Sequence, residues 1–215
     1  MEKIYRVFMS LGLIGALFYI VHTILGQILW KAYNPITTDI SSLTADGAPN
    51  RNILSIFCNI YSVCMILFLK KAFNEYNLKC KMGYILLMIM QLTSTFGYSL
   101  FPLSDDKTVM NFQNTMHITV TIIVVFTTIA SSFLIAFGYL KQKNTEHLGK
   151  ISLIMAILIT IFGAVVPISM SLKMNILGLA ERLEIYTIQI FMIILSYNYT
   201  VIKKWRSITT NHRLV

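Results

Sequence analysis

Apolar residues fall in six long runs separated by short polar connections, at about 7–29, 53–69, 82–102, 116–140, 151–172 and 183–202. Most approach the ~20 residues an α-helix needs to cross a bilayer. A backbone in lipid must satisfy its own N–H and C=O groups, and runs this continuous do so as helices rather than barrel strands. The pattern predicts an all-α polytopic membrane protein, with residues 1–215 forming a single bundle of six transmembrane helices. The first run continues from Lys3 and Arg6 to Leu29. That is longer than a signal-peptide core of about 7–15 residues, so it reads as an uncleaved first span.

Uncharged polar residues within the runs form stripes. His117, Thr121, Thr128 and Ser132 recur on one helical face, as do Gln91, Ser94, Thr95 and Tyr98, and Ser55, Asn59 and Ser62. Such stripes serve as hydrogen-bonding glue between helices or as the lining of a polar pocket; the spacing leaves both open. Gly97 with Pro102, and Gly163 with Pro167, loosen the same end of spans three and five. In this register no Asp, Glu, Lys or Arg lies deep in a span, which argues against a proton-coupled pump or a charged ion filter. His22 is the one ionisable group well inside, roughly 12 Å from Trp30 along the helix. Its plain reading is a neutral imidazole hydrogen-bonded between helices.

Composition agrees. Hydrophobic residues make up 56% of the chain and charged ones 13%, against about 25% charged in soluble domains, and the mean hydropathy is +0.68. The net charge of +9 is a matter of sidedness and does not point to nucleic acid. Lysine and arginine gather at the N-terminus (Lys3, Arg6), the second connection (Lys70, Lys71, Lys79, Lys81), the fourth (Lys141, Lys143, Lys150) and the tail (Lys203, Lys204, Arg206, Arg213). The other connections hold only Lys31, Arg51, Lys107, Lys173 and Arg182. The positive-inside rule then places both termini in the cytoplasm, with anionic inner-leaflet headgroups as partners of the lysine-rich face. Trp30 and Trp205 mark the two interfaces. Cys58, Cys64 and Cys80 imply no disulfide framework.

The acidic residues concentrate on the opposite face, at Asp39, Asp46, Asp105, Asp106, Glu181 and Glu184. The first connection, from Lys31 to Arg51, carries the turn signals Asn34-Pro35 and Asp46-Gly47. Between them, Thr38 to Leu43 reads equally as a short re-entrant helix or as a solvated tether. Phe101-Pro102-Leu103-Ser104-Asp105-Asp106 closes the third span, and His117 opens the fourth. Glu181 and Glu184 share a face at the start of the sixth, where the helix dipole favours acids.

His117, Asp105 and Glu181 form the candidate polar centre. Arg182 is the candidate clamp for an anionic group, with Asp39, Ser41 and Asp106 as further ligand contacts. His117 with a carboxylate suits general acid–base work. Ser41 or Ser42 would be the nucleophile, although no Gly-x-Ser-x-Gly elbow is present. No cofactor is expected. A divalent metal suits an Asp/His/Glu set, but His-x-x-His and Cys-x-x-Cys spacings are missing.

Asn34-Pro35 with Asp39-Ile40-Ser41-x-Leu43, Phe101-Pro102-x-x-Asp105 with His117, and Gly178-Leu179-x-Glu181-Arg182 resemble the prokaryotic membrane family catalogued as domain of unknown function 998. The resemblance spans essentially the whole chain. It implies six spans and a plasma-membrane location, and it brings no established activity. A thinner likeness links the Phe-Pro…His outline to eukaryotic Frag/DRAM/Sfk-type membrane proteins. Three roles follow as expectations: binding or processing a lipid headgroup or small amphiphile; a non-enzymatic sensor, immunity or accessory subunit acting through its outer loops; or a permease for a neutral amphiphile.

Overall fold

A computed structural model describes residues 2–75, 78–107 and 109–199. These residues form six α-helices and one short 3₁₀ helix, with no strand among them. The helices are α1 (Glu2–Leu29), α2 (Arg51–Glu75), α3 (Leu78–Leu100), α4 (Phe112–Leu140), α5 (Glu146–Ser171) and α6 (Leu177–Tyr197); the 3₁₀ helix is Ile40–Thr44. Each α-helix packs on its neighbours in sequence, and α6 returns to α1, so the six close into a ring. Trp205 and the tail cations from Lys203 to Arg213 lie outside the described residues.

Four helices are long and apolar enough to cross a membrane: α1 from Arg6, α2, α4 and α5. All six carry exposed apolar side chains. On α3 these form a stripe through Met82, Ile85, Ile89, Leu92, Phe96 and Leu100, the arrangement of a helix whose polar face is turned into a bundle.

Several boundaries differ from the apolar runs, each for a local reason. The Asn111 side chain accepts a hydrogen bond from the Asn114 amide at 2.8 Å, an N-cap that starts α4 at Phe112, ahead of the apolar run read from about 116. Glu146 and Lys150 pair at 2.8 Å across the first turn of α5. The largest difference is α6, which begins at Leu177. Glu181 and Glu184 are therefore not first-turn residues, and the helix-dipole account of them fails. Glu184 lies about two turns in and is buried. It is a buried carboxylate within α6 and not a residue of the helix start.

The lysine-rich end of the ring is filled by an apolar core contributed by every helix, including Met9, Phe68, Tyr84, Ile135, Ile159 and Phe191. Here α1 and α6 meet closely. The Ser196 hydroxyl accepts from the Leu13 amide at 3.0 Å and donates to the Met9 carbonyl at 2.6 Å, inserting into the helical ladder of α1. At Gly12, an added Cβ would stand 2.9 Å from the Ser196 Cβ.

The acidic end is different. Its buried helix positions are mostly polar or small: His22, Thr23, Asn114, His117, Ser169, Ala180, Glu184 and Thr187, with Leu54 and Val120 as large apolar exceptions. Its apolar packing comes instead from the first connection. Tyr33, Ile40 and Leu43 cluster with Leu54. This settles the reading of that connection: it is a packed cap carrying a 3₁₀ helix, not a solvated tether.

Candidate functional site

The cap is fastened to α6 by several contacts, among them the Leu179 amide donating to the Ile36 carbonyl at 3.0 Å. Arg182 donates through Nη1 to the carbonyls of Pro35 (2.8 Å), Thr38 (3.4 Å) and Gly178 (2.9 Å), and through Nη2 to the Tyr33 hydroxyl (2.8 Å). The guanidinium also lies over the Tyr33 ring, 5.3 Å from its centre. Burial pushes the Tyr33 phenol up to about 12, so at neutral pH it remains an O–H donor to the carbonyls of Thr38 and Asp39. The Glu181 carboxylate accepts from the Ile40 amide at 2.7 Å. Gly178 lets backbone meet backbone: a Cβ there would collide with the carbonyl oxygens of Thr38 and Pro35.

Asp39 caps the 3₁₀ helix. It accepts from the Ser42 amide at 3.1 Å and the Ser42 hydroxyl at 3.0 Å, and it pairs with Lys107 from the connection between α3 and α4. Asp46 joins the same two connections. Its amide donates to the Leu103 carbonyl at 2.9 Å, and its carboxylate takes Arg51 and the Gln113 side chain. Gly47, at φ +80°, turns the chain where a Cβ would stand 2.5 Å from an Asp105 oxygen. An open groove of about 360 Å³ runs along this seam, lined by Asp46, Asp105, Lys107 and Ser42 among others.

His117 sits at the junction of α3 and α4. Its Nδ1 lies 2.9 Å from the Phe101 carbonyl, and its ring packs 4.9 Å from that of Tyr98. Tyr98 in turn donates to Thr121 at 3.1 Å. Most other stripe hydroxyls, such as those of Thr121, Thr128 and Ser132, bond carbonyls of their own helix.

Beneath the cap lies a set of side chains that turn toward one another. Tyr19 packs against His22 (5.4 Å) and Tyr61 (4.9 Å), and the Gln189 amide reaches the Tyr61 hydroxyl at 3.4 Å. Tyr19 is within electrostatic reach of Tyr98 and Glu181, and Tyr98 is within reach of Glu181 and Glu184. Both His22 nitrogens and the side-chain oxygens of Gln91 and Gln189 are buried with no hydrogen-bond partner among the described residues. His22 is therefore not the hydrogen-bonded histidine expected from its position.

The residues singled out in the sequence all lie at this end but do not form one centre. Glu181 holds the cap, His117 holds the end of α3, and Asp105 lines the open groove; no hydrogen bond or ion pair joins the three. Arg182, read as an anion clamp, is buried and donates to four oxygens of the protein itself. Asp39 is likewise dressed by Ser42 and Lys107. Ser41 is partly buried beside it, and Asp106 is exposed. Among the described residues, no group of three His, Cys, Asp or Glu side chains is placed to hold a metal ion. The sequence does not mark Tyr33, Tyr98 and Lys107 as partners, and it puts Glu184 at the helix start. The i, i+3 pairing of Glu181 and Glu184 was the one available signal for the last.

Comparison with known proteins gives one finding. The family model described as "Protein of unknown function (DUF998)" matches residues 13–198. Neither a curated protein nor a solved structure matches the chain.

Proposed function

The chain belongs to the DUF998 family of proteins of unknown function, and on that footing we propose that it is a six-span protein of the cell membrane that binds or processes a lipid headgroup or small amphiphile. One observation carries the reading: a ring of helices packed with apolar side chains at one end and lined with polar ones at the other, beneath a fastened cap. Buried polar groups are normally satisfied, so a bundle that keeps them together under a cap is built to receive something polar.

The ring supports six spans. α3 lies between α2 and α4, and α6 between α5 and α1, so each is flanked by helices able to cross a membrane. Six crossings would put both termini on one side, and the distribution of lysines favours the cytoplasm for it. In a cysteine-free background, a cysteine at position 105 should react with an impermeant maleimide on intact cells, and one at position 143 only after permeabilisation. Labelling in the reverse order overturns the topology.

The direct test is mass spectrometry of the purified protein. A bound amphiphile is expected with the unaltered chain and is expected to be lost, without loss of folding, in His117→Ala and Glu181→Gln. A protein that purifies empty under mild extraction counts against the reading. Val109, Met110 and Phe112 expose apolar surface at the capped end, which favours a second reading, a sensor, immunity or accessory subunit with a partner there. In that case exchanges at the connections, and not at His117, remove activity in cells.

A further inference from the structure

We propose that the capped end of the helix ring binds a cationic amphiphile, an amine or quaternary ammonium on an apolar tail, with Glu184 holding the positive group. This rests on the reading above and adds the charge of the ligand.

Glu184 is 6% exposed, and its carboxylate has no hydrogen-bond or ion-pair partner among the described residues. It lies against α5, where a Cβ on Gly163 would stand 3.2 Å from Oε1. A carboxylate taken out of water is costly unless something pairs with it. The buried polar side chains of the capped half are short of partners. The Gln91 and Gln189 side-chain oxygens are unmatched acceptors, and the His22 ring has no partner at either nitrogen. Pro167, inside α5, offers no N–H to the Gly163 carbonyl four residues earlier.

The protein's own cations at this end are engaged elsewhere or remote. Arg182 is turned to the cap carbonyls, Arg51 to Asp46 and Lys107 to Asp39, while Lys31 and Lys173 are exposed in connections. A partner brought in from outside would supply what the protein does not, and a cation matches the charge of the carboxylate. Tyr98 lies within electrostatic reach of Glu184, and Tyr19 within reach of Tyr98; aromatic faces attract cations. An anionic headgroup would meet Glu181 and Glu184 with no free counter-charge. The apolar tail has the lipid-facing surface of the ring to lie against.

The test uses the full chain in dodecyl maltoside with three probes of equal tail length: octyltrimethylammonium, octyl glucoside and octyl sulfate. Octyltrimethylammonium is expected to raise Tm saturably and to bind at least tenfold more tightly than the other two. Glu184→Gln is expected to weaken that binding at least tenfold. Equal stabilisation by the glucoside or the sulfate, or unchanged ammonium binding in Glu184→Gln, overturns the inference while the amphiphile reading stands. Binding of none of the three overturns both. Should Glu184→Gln fail to fold, the charge series on the unaltered chain decides, together with Glu184→Asp, which keeps the charge and should keep the preference for the ammonium.

Discussion

Arg182→Ala should unfasten the cap and lower the stability of the detergent-solubilised protein by roughly 3 kcal/mol or more. The estimate follows from hydrogen bonds to a charged group, worth about 1.5–3 kcal/mol each in context, and from buried acceptors left unsatisfied. Arg182 supplies donors to Pro35, Thr38, Gly178 and Tyr33 together. Its loss strands several carbonyls in a region the cap keeps dry. Lysine should rescue little, because a single ammonium cannot span oxygens that a planar fork reaches from two nitrogens. Two measurements check this: thermal unfolding, and proteinase K cleavage between residues 31 and 50, which should appear in the variant before the rest of the chain is cut. Lys107→Ala is the control. Its ammonium is half exposed where it meets Asp39, and such pairs contribute about 1 kcal/mol or less. A cap that stays protected in Arg182→Ala rules out the fastening role.

Gly178→Ala should have a comparable effect by a different route. The added methyl runs into the carbonyls of Thr38 and Pro35. These are backbone atoms held by Arg182 and Tyr33, so they have little room to retreat. Overpacking of this kind costs about 1–3 kcal/mol, and the upper part of that range is expected. Gly163→Ala makes the contrast, since its Cβ meets side-chain atoms and no backbone, the nearest being the end of Glu184 at 3.2 Å. The expected order in thermal unfolding is unaltered chain, then Gly163→Ala, then Gly178→Ala. Equal stability of the two variants would mean that the cap does not need this close approach.

The contrast between these glycines also marks what the sequence could disclose. Long apolar runs make helices legible, and all six were found, because burial of an apolar stripe dominates every local preference. The start of α6 was not. Gly178-Leu179-Ala180 carries no capping signal, so the first acidic residue looked like the beginning, when in fact the helix starts beneath the cap and its carboxylates lie turns further on. Which residues gather at the acidic face could be read from the register alone. What each one holds could not. Asp39 finds Lys107 across 68 residues of chain, and Arg182 finds the Pro35 carbonyl across 147. Such pairings are set by how the helices close, and no spacing encodes them. A charged side chain near an interface reads as outward-facing by default, which is why Arg182 was taken for a ligand clamp and not for a fastener.

The clasp of Ser196 on Met9 and Leu13 joins α1 to α6. During synthesis, α1 enters the bilayer with one flank bare and stays so until α6 has been made. Assembly is therefore governed by an arc that waits for its final stave, and a ribosome halted before residue 177 would leave two raw edges facing lipid.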